Sequence, residues 1–229
     1  MDLKQKGENA QIGAFKQLKV SLIWTSAVDL DLMAFYRTKD KNIGGVYSDN
    51  YAGGSLGDLN QFPFIQLSGD EGVGAVGGDN REELRIAKLD DLEELYICAF
   101  NFTDASTGSN KVFADYDARI EVVTDKGDRH EVALDSSSPG SVAVIAKFKT
   151  GFMGSELINS SEVMSFEAFK TIIPGADQIK LSSKITLAQK GDQTSLSGND
   201  FQATLRWRAA VDLDLYCFYR LKSEIAASE

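Results

Sequence analysis

The residues best suited to chemistry in this chain are acids. In the run VDLDL, Asp29 and Asp31 stand two residues apart. On a strand that spacing puts both carboxylates on one face, with Cα atoms roughly 6–7 Å apart, while Val28, Leu30 and Leu32 face the core. Two bare carboxylates so placed repel by about 1 kcal/mol near a surface. A bound divalent cation reverses the sign of that interaction. A second acidic stretch, SGDEGVGAVGGDNREEL (68–84), offers Asp70, Glu71, Asp79, Asn80, Glu82 and Glu83 against a single Arg81. Calcium takes about six to eight oxygens at roughly 2.3–2.6 Å. Asp and Asn in a glycine-rich loop supply such oxygens, because glycine lets the backbone fold around an ion. The expected arrangement is a rigid strand 28–32 at a sheet edge, its open side wrapped by the loop. A third stretch, YSDNYAGGSLGD (47–58), adds Asp49, Asn50 and Asp58. Residue types alone leave cation binding open against ordinary turn chemistry and acids that face water. No loop has the EF-hand pattern.

Other chemistries find less support. GVGAVG (72–77) fits G-x-G-x-x-G literally, but no helix pattern follows and its acidic setting repels pyrophosphate. His130 is the one histidine, and it sits at a strand start beside Glu131. No G-x-S-x-G accompanies it, and a zinc site needs more nitrogen or sulfur ligands. Cys98 and Cys217 lie inside apolar runs, far apart, and read as buried free thiols. A metal-dependent hydrolase or phosphotransferase using the same acids is the alternative to a binding role. The chain has no evident nucleophile or base beyond those acids.

The elements that must position the acids read as strands. Short runs rich in Val, Ile, Phe and Tyr recur at 19–24, 28–36, 95–102, 118–123, 130–134 and 142–148, between Gly, Asp, Asn and Ser clusters. In 19–24, Val20, Leu22 and Trp24 alternate with their neighbours, the period of a strand with one buried face. DKGD (125–128) reads as a hairpin turn. One helix is expected at 165–172, capped by Ser165, with Phe166 and Phe169 on one face and Pro174 beyond its end. The expected fold is all-β: a mostly antiparallel two-sheet β-sandwich with one or two short helices.

An internal repeat organises the chain. VSLIWTSAVDLDLMAFYR (20–37) recurs as ATLRWRAAVDLDLYCFYR (203–220), and LKQKG (3–7) as LAQKG (187–191). The expected division is a sandwich over 1–150, a connector with the helix over 151–186, and a partial second repeat over 187–229. Such a part cannot bury a core alone. It packs on the first domain, or pairs with another chain to make a homo-oligomer, or marks a shortened two-domain protein. Net charge is −10 over 229 residues, which disfavours purely electrostatic binding to nucleic acid or anionic lipid. The opening residues show no signal-peptide pattern, and no run is long and apolar enough to span a membrane. The expected location is cytoplasmic.

Taken together, the motifs resemble a known family. A strand with Trp24, then VDLDL and an aromatic, then SDNY, S-G-D and GGDNREEL before an apolar strand, resembles the TerD domain of tellurium-resistance stress proteins. QKG near the start, SLGDLNQFPFIQLSGD, NFTDAS and FADYDARIEVV are most similar to its TerA-like branch. The resemblance covers about 1–150, with 187–220 as a partial second copy. It implies a β-sandwich, calcium as the cofactor in an acidic pocket at one end, and no catalytic activity. By motif match the metal ligands are Asp29 and Asp31, Asp70 in the S-G-D turn, and Asp79, Asn80 and Glu82 in the GDNREE turn. It also implies a bacterial role in resistance to tellurite and other stresses. The implied partners are other tellurite-resistance proteins, in a complex at the inner membrane. Val28 precedes Asp29 where the family has a further acid, and Gly72–Gly78 replaces part of a denser acidic loop, so one calcium site is expected rather than two.

Overall fold

A computed structural model of the chain describes residues 1–68, 80–101, 112–152, 154–180 and Tyr216. Met1–Lys184 forms one compact unit and Ile185–Glu229 another. The second repeat therefore lies outside the described residues, apart from Tyr216. The first unit runs past the expected boundary at 150 and takes in most of the segment read as a connector.

Two sheets face each other. The described strands are β1 (Asp2–Leu3), β2 (Asn9–Ile12), β3 (Leu18–Trp24), β4 (Leu30–Thr38), β5 (Ile43–Val46), β6 (Gly57–Asp58), β7 (Ile65–Leu67), β8 (Asn80–Ile86), β9 (Leu92–Asn101), β10 (Ala118–Thr124), β11 (Arg129–Leu134), β12 (Val142–Gly151) and β13 (Gly154–Met164). One sheet has the order β1-β11-β10-β3-β8-β7-β6, the other β2-β13-β12-β9-β4-β5. All pairings are antiparallel except β1 with β11. This is the all-β sandwich the alternating runs predict, and DKGD is the β10–β11 hairpin turn.

The core between the sheets is built by alternation. Val20, Leu22 and Trp24 from β3 meet Leu30, Leu32 and Ala34 from β4, all fully buried. The unbroken apolar runs have a second cause. The outward residues of the six-stranded sheet, Met33, Phe35, Cys98, Phe100, Val142 and Val144, form a second buried cluster under a cap. The cap is the helix α1 (Phe166–Ile172), the turn Ala176–Gln178 and the loop that carries Tyr47 and Tyr51. In β12 the register slips between Val144 and Ala146, and Ile145 and Ala146 both join the inner core. A bulge of this kind puts consecutive residues on one face.

Ser165 caps α1, its hydroxyl accepting from the Ala168 N–H at 3.2 Å. Phe169 is fully buried against Phe35, ring centroids 5.3 Å apart at 80°. Gly175 lets the segment after the helix close onto β5: it has φ +86°, and a Cβ there would lie 2.7 Å from the Gly44 carbonyl oxygen. β3 departs from a simple one-faced strand. Ser21 and Ile23, on its outward side, are buried too. Ile23 lies in register between Arg119 and Arg81, and Ser21 between Glu121 and Glu83. Long side chains of this type cover their neighbours with their aliphatic stems.

The cap yields a stability prediction. Phe169→Ala should cost about 3–5 kcal/mol, as for other buried aromatics. Phe152→Ala, at a fully exposed hairpin position, should change stability by less than about 0.5 kcal/mol. Urea denaturation followed by tryptophan fluorescence measures both.

Candidate functional site

One end of the sandwich is set by strand directions. The end of β3 meets the start of β8, Trp24 opposite Asn80. The start of β4 meets the end of β9, Leu30 opposite Asn101. The VDLDL segment and the NREE segment are thus neighbours, although they belong to different sheets.

The link between β3 and β4 (25–29) is held on several sides. Trp24 Nε1 donates to the Val28 carbonyl at 3.1 Å, closing the turn. Asn80 Nδ2 donates to the carbonyls of Trp24 at 3.1 Å and Ser26 at 3.3 Å. On the other side the Thr25 N–H donates to the Tyr116 carbonyl, and Ser26 Oγ to the Asp115 carbonyl. Tyr116 and Asp115 belong to a short 3-10 helix, Phe113–Tyr116.

Both aspartates are buried, Asp29 at 6 % exposure and Asp31 at 4 %. An aspartate pair on a strand near the surface was expected. The structure corrects this. Asp29 precedes the strand, which begins at Leu30, and Asp31 points toward the capped side of the sheet, in register with Phe100. Tyr51 covers it: the phenol hydroxyl donates to Asp31 Oδ2 at 2.6 Å. The sheet-edge expectation holds locally. β5 pairs with β4 from Ala34 onward, so among the described residues the start of β4 has no strand on that side.

Glu82 takes that place. It was expected in a turn, but Asn80 and Glu82 lie in β8. Glu82 faces inward with Leu84 and Ile86, is 2 % exposed, and accepts from the Leu32 N–H at 2.6 Å. A carboxylate from one sheet thereby satisfies an amide of the other. Burial of such a group is costly unless hydrogen bonds repay it.

The other candidates fall differently. Asp70 and Asp79 lie outside the described residues. Asp49 and Asn50 are exposed, and Asp58 accepts from the Asn60 N–H at 2.6 Å within its own turn. Sequence reasoning counted the acids of SDNY and passed over its tyrosine. The usable signal was that a tyrosine fixed in an Asn- and Gly-rich loop normally seeks a partner for its hydroxyl. Cys98 is fully buried, which pushes its thiol up and leaves it inert. His130 stands on β11 with its Nδ1 buried and, among the described residues, without a hydrogen-bond partner, and desolvation lowers its pKa.

Among the described residues, the donor set at this end is oxygen only: carboxylates, an amide and a phenol. That chemistry fits a hard divalent cation and not zinc or copper. Among the described residues, no three His, Cys, Asp or Glu side chains converge as a metal site. Asp29, Asp31 and Glu82 therefore form part of a ligand set at most. No helix among the described residues is long and apolar enough to cross a membrane.

No protein-family model matches the chain, and no curated protein matches it. Solved structures do. A homologue of a telluride resistance protein (TerD) from Streptomyces coelicolor A3(2) is similar at 16% identity and a TM-score of 0.48, over 66% of this chain and 92% of its own. A protein of unknown function is similar at 11% identity and a TM-score of 0.48, over 68% of this chain and 94% of its own.

The Glu82 bond predicts a graded loss. Glu82→Ala leaves the Leu32 amide buried without its acceptor and should cost about 1–3 kcal/mol. Glu82→Gln keeps an acceptor oxygen and should cost less than Glu82→Ala. Equal losses in urea titrations without calcium would contradict this role.

Proposed function

We propose that this chain is a calcium-binding, non-catalytic protein of the TerD-like tellurite-resistance type, acting as a binding or scaffold module in a bacterial stress response. The observation that supports it best is the meeting of the two motif segments. Asn80 and Glu82 hold the backbone on both sides of Asp29 and Asp31 through bonds of 2.6–3.3 Å. Two distant acidic motifs of the resemblance are thereby neighbours in space.

In this reading Asp29 and Asp31 supply rigid carboxylates, and Asp70 and Asp79 supply the remaining ones from the glycine-rich stretch. Glu82 and Asn80 fix the segment that carries the pair. A bound calcium ion supplies positive charge that offsets the mutual repulsion of these acids. The side chains at this end are committed to structural hydrogen bonds: Glu82 on Leu32, Asn80 on Trp24 and Ser26, Asp31 with Tyr51. Such groups hold an ion or a loop and are poorly disposed to turn over a substrate. The proposed setting is the cytoplasm, with other tellurite-resistance proteins at the inner membrane as partners.

A ligand that binds only the folded state stabilises it by mass action. Calcium at about a hundred times its dissociation constant should add roughly 2.7 kcal/mol and raise the melting temperature by several degrees. The double variant Asp29→Asn, Asp31→Asn should lose this rise. Calorimetry in chelator and in millimolar calcium measures it, and an unmoved wild-type transition would reject the reading.

A further inference from the structure

Given the calcium site proposed above, we infer that Tyr51 is the residue that positions Asp31 for the cation, and that it ties the cap of the second core to that site. Three observations carry this. Tyr51 is 5 % exposed, and its hydroxyl donates to Asp31 Oδ2 at 2.6 Å. Its ring packs edge-on against Phe100, centroids 6.1 Å apart, and Phe100 is the register partner of Asp31. The loop that carries it is closed tightly: the Tyr51 N–H donates to the Ser48 carbonyl and the Gly54 N–H to the Tyr51 carbonyl. A Cβ at Gly54 would lie 2.0 Å from the Ser48 carbonyl oxygen, so only glycine fits there.

The chemistry is that of an outer partner to a ligand. A carboxylate whose second oxygen is held by a donor has one rotamer, and its remaining lone pairs face a fixed direction. Losing such a partner typically weakens metal affinity about 10–100-fold. The loop also joins the cap. The bridge between Ala52 and Lys180 ties it to the segment after α1, and Tyr47 stacks on Phe35 at 5.7 Å. Ordering Asp31 therefore orders the loop, and through it the cover of the outer cluster.

Tyr47 provides the control. It is 1 % exposed, lies in the same cap, and its hydroxyl has no hydrogen-bond partner among the described residues. The experiment is calcium titration calorimetry on the full chain, with hydrogen exchange of 47–55 measured with and without calcium. Tyr51→Phe should keep the stoichiometry and weaken calcium about 10–100-fold. It should also lose the calcium-induced protection of the loop. Gly54→Ala, which keeps the phenol but opens the loop, should weaken calcium as well, while Tyr47→Phe should leave affinity within about twofold of wild type. The inference is overturned, with the calcium reading intact, if Tyr51→Phe binds as the wild type does. Equal weakening by Tyr47→Phe also overturns it, since cap packing then explains the loss. If the wild type binds no calcium, both fall.

Discussion

A carboxylate joins the two sheets at the end that carries Asp29 and Asp31. Glu82 leaves β8, crosses the end of the core and accepts the Leu32 amide of β4. β5 is too short to pair with the start of β4, so among the described residues no strand offers that amide an acceptor. An unsatisfied buried amide and an unsatisfied buried carboxylate are each costly; joined, each offsets part of the other's cost. The arrangement fixes where VDLDL begins relative to NREE. It also accounts for one buried carboxylate among inward residues that are mostly apolar.

A second layer rests on the same strand. β4 is buried on both faces: Leu30, Leu32 and Ala34 in the inner core, Met33 and Phe35 in the outer cluster. Asp31 lies on the outer side, next in alternation to Met33. Its carboxylate is the polar member of an apolar face, satisfied by Tyr51 from the cap. Glu82 thus approaches the segment from inside the sandwich and Tyr51 from outside. The segment is held from two directions, its Leu32 amide by Glu82 and its Asp31 carboxylate by Tyr51.

Much of this was legible in the chain. β3, β4, β9, β10, β11 and β12 announce themselves through alternation or long apolar runs, and α1 through Ser165 and its paired phenylalanines. The start of β8 reads as a turn because its inward residues begin with Asn80 and Glu82, so only Leu84 and Ile86 show the period. β13 does not show the strand period in the sequence, because Ser155 and Asn159 occupy buried positions beside Leu157. Asn159 holds its place by donating to the Leu3 carbonyl at 2.8 Å, a bond no pattern of hydropathy reveals. At the site, the spacing of Asp29 and Asp31 pointed to the right strand, but not to their burial. Asp31 is covered by the cap, whose contacts are between residues far apart in sequence. Tyr51 was missed for the same reason.

The most direct test is to locate the ion itself. A crystal structure grown with calcium, or with a lanthanide in its place, would show an anomalous peak at the bound cation. The account places that peak within about 2.3–2.6 Å of Asp29 and Asp31 oxygens, with further oxygens from Asp70 or Asp79. A peak remote from β4, or none with the protein saturated, would contradict it.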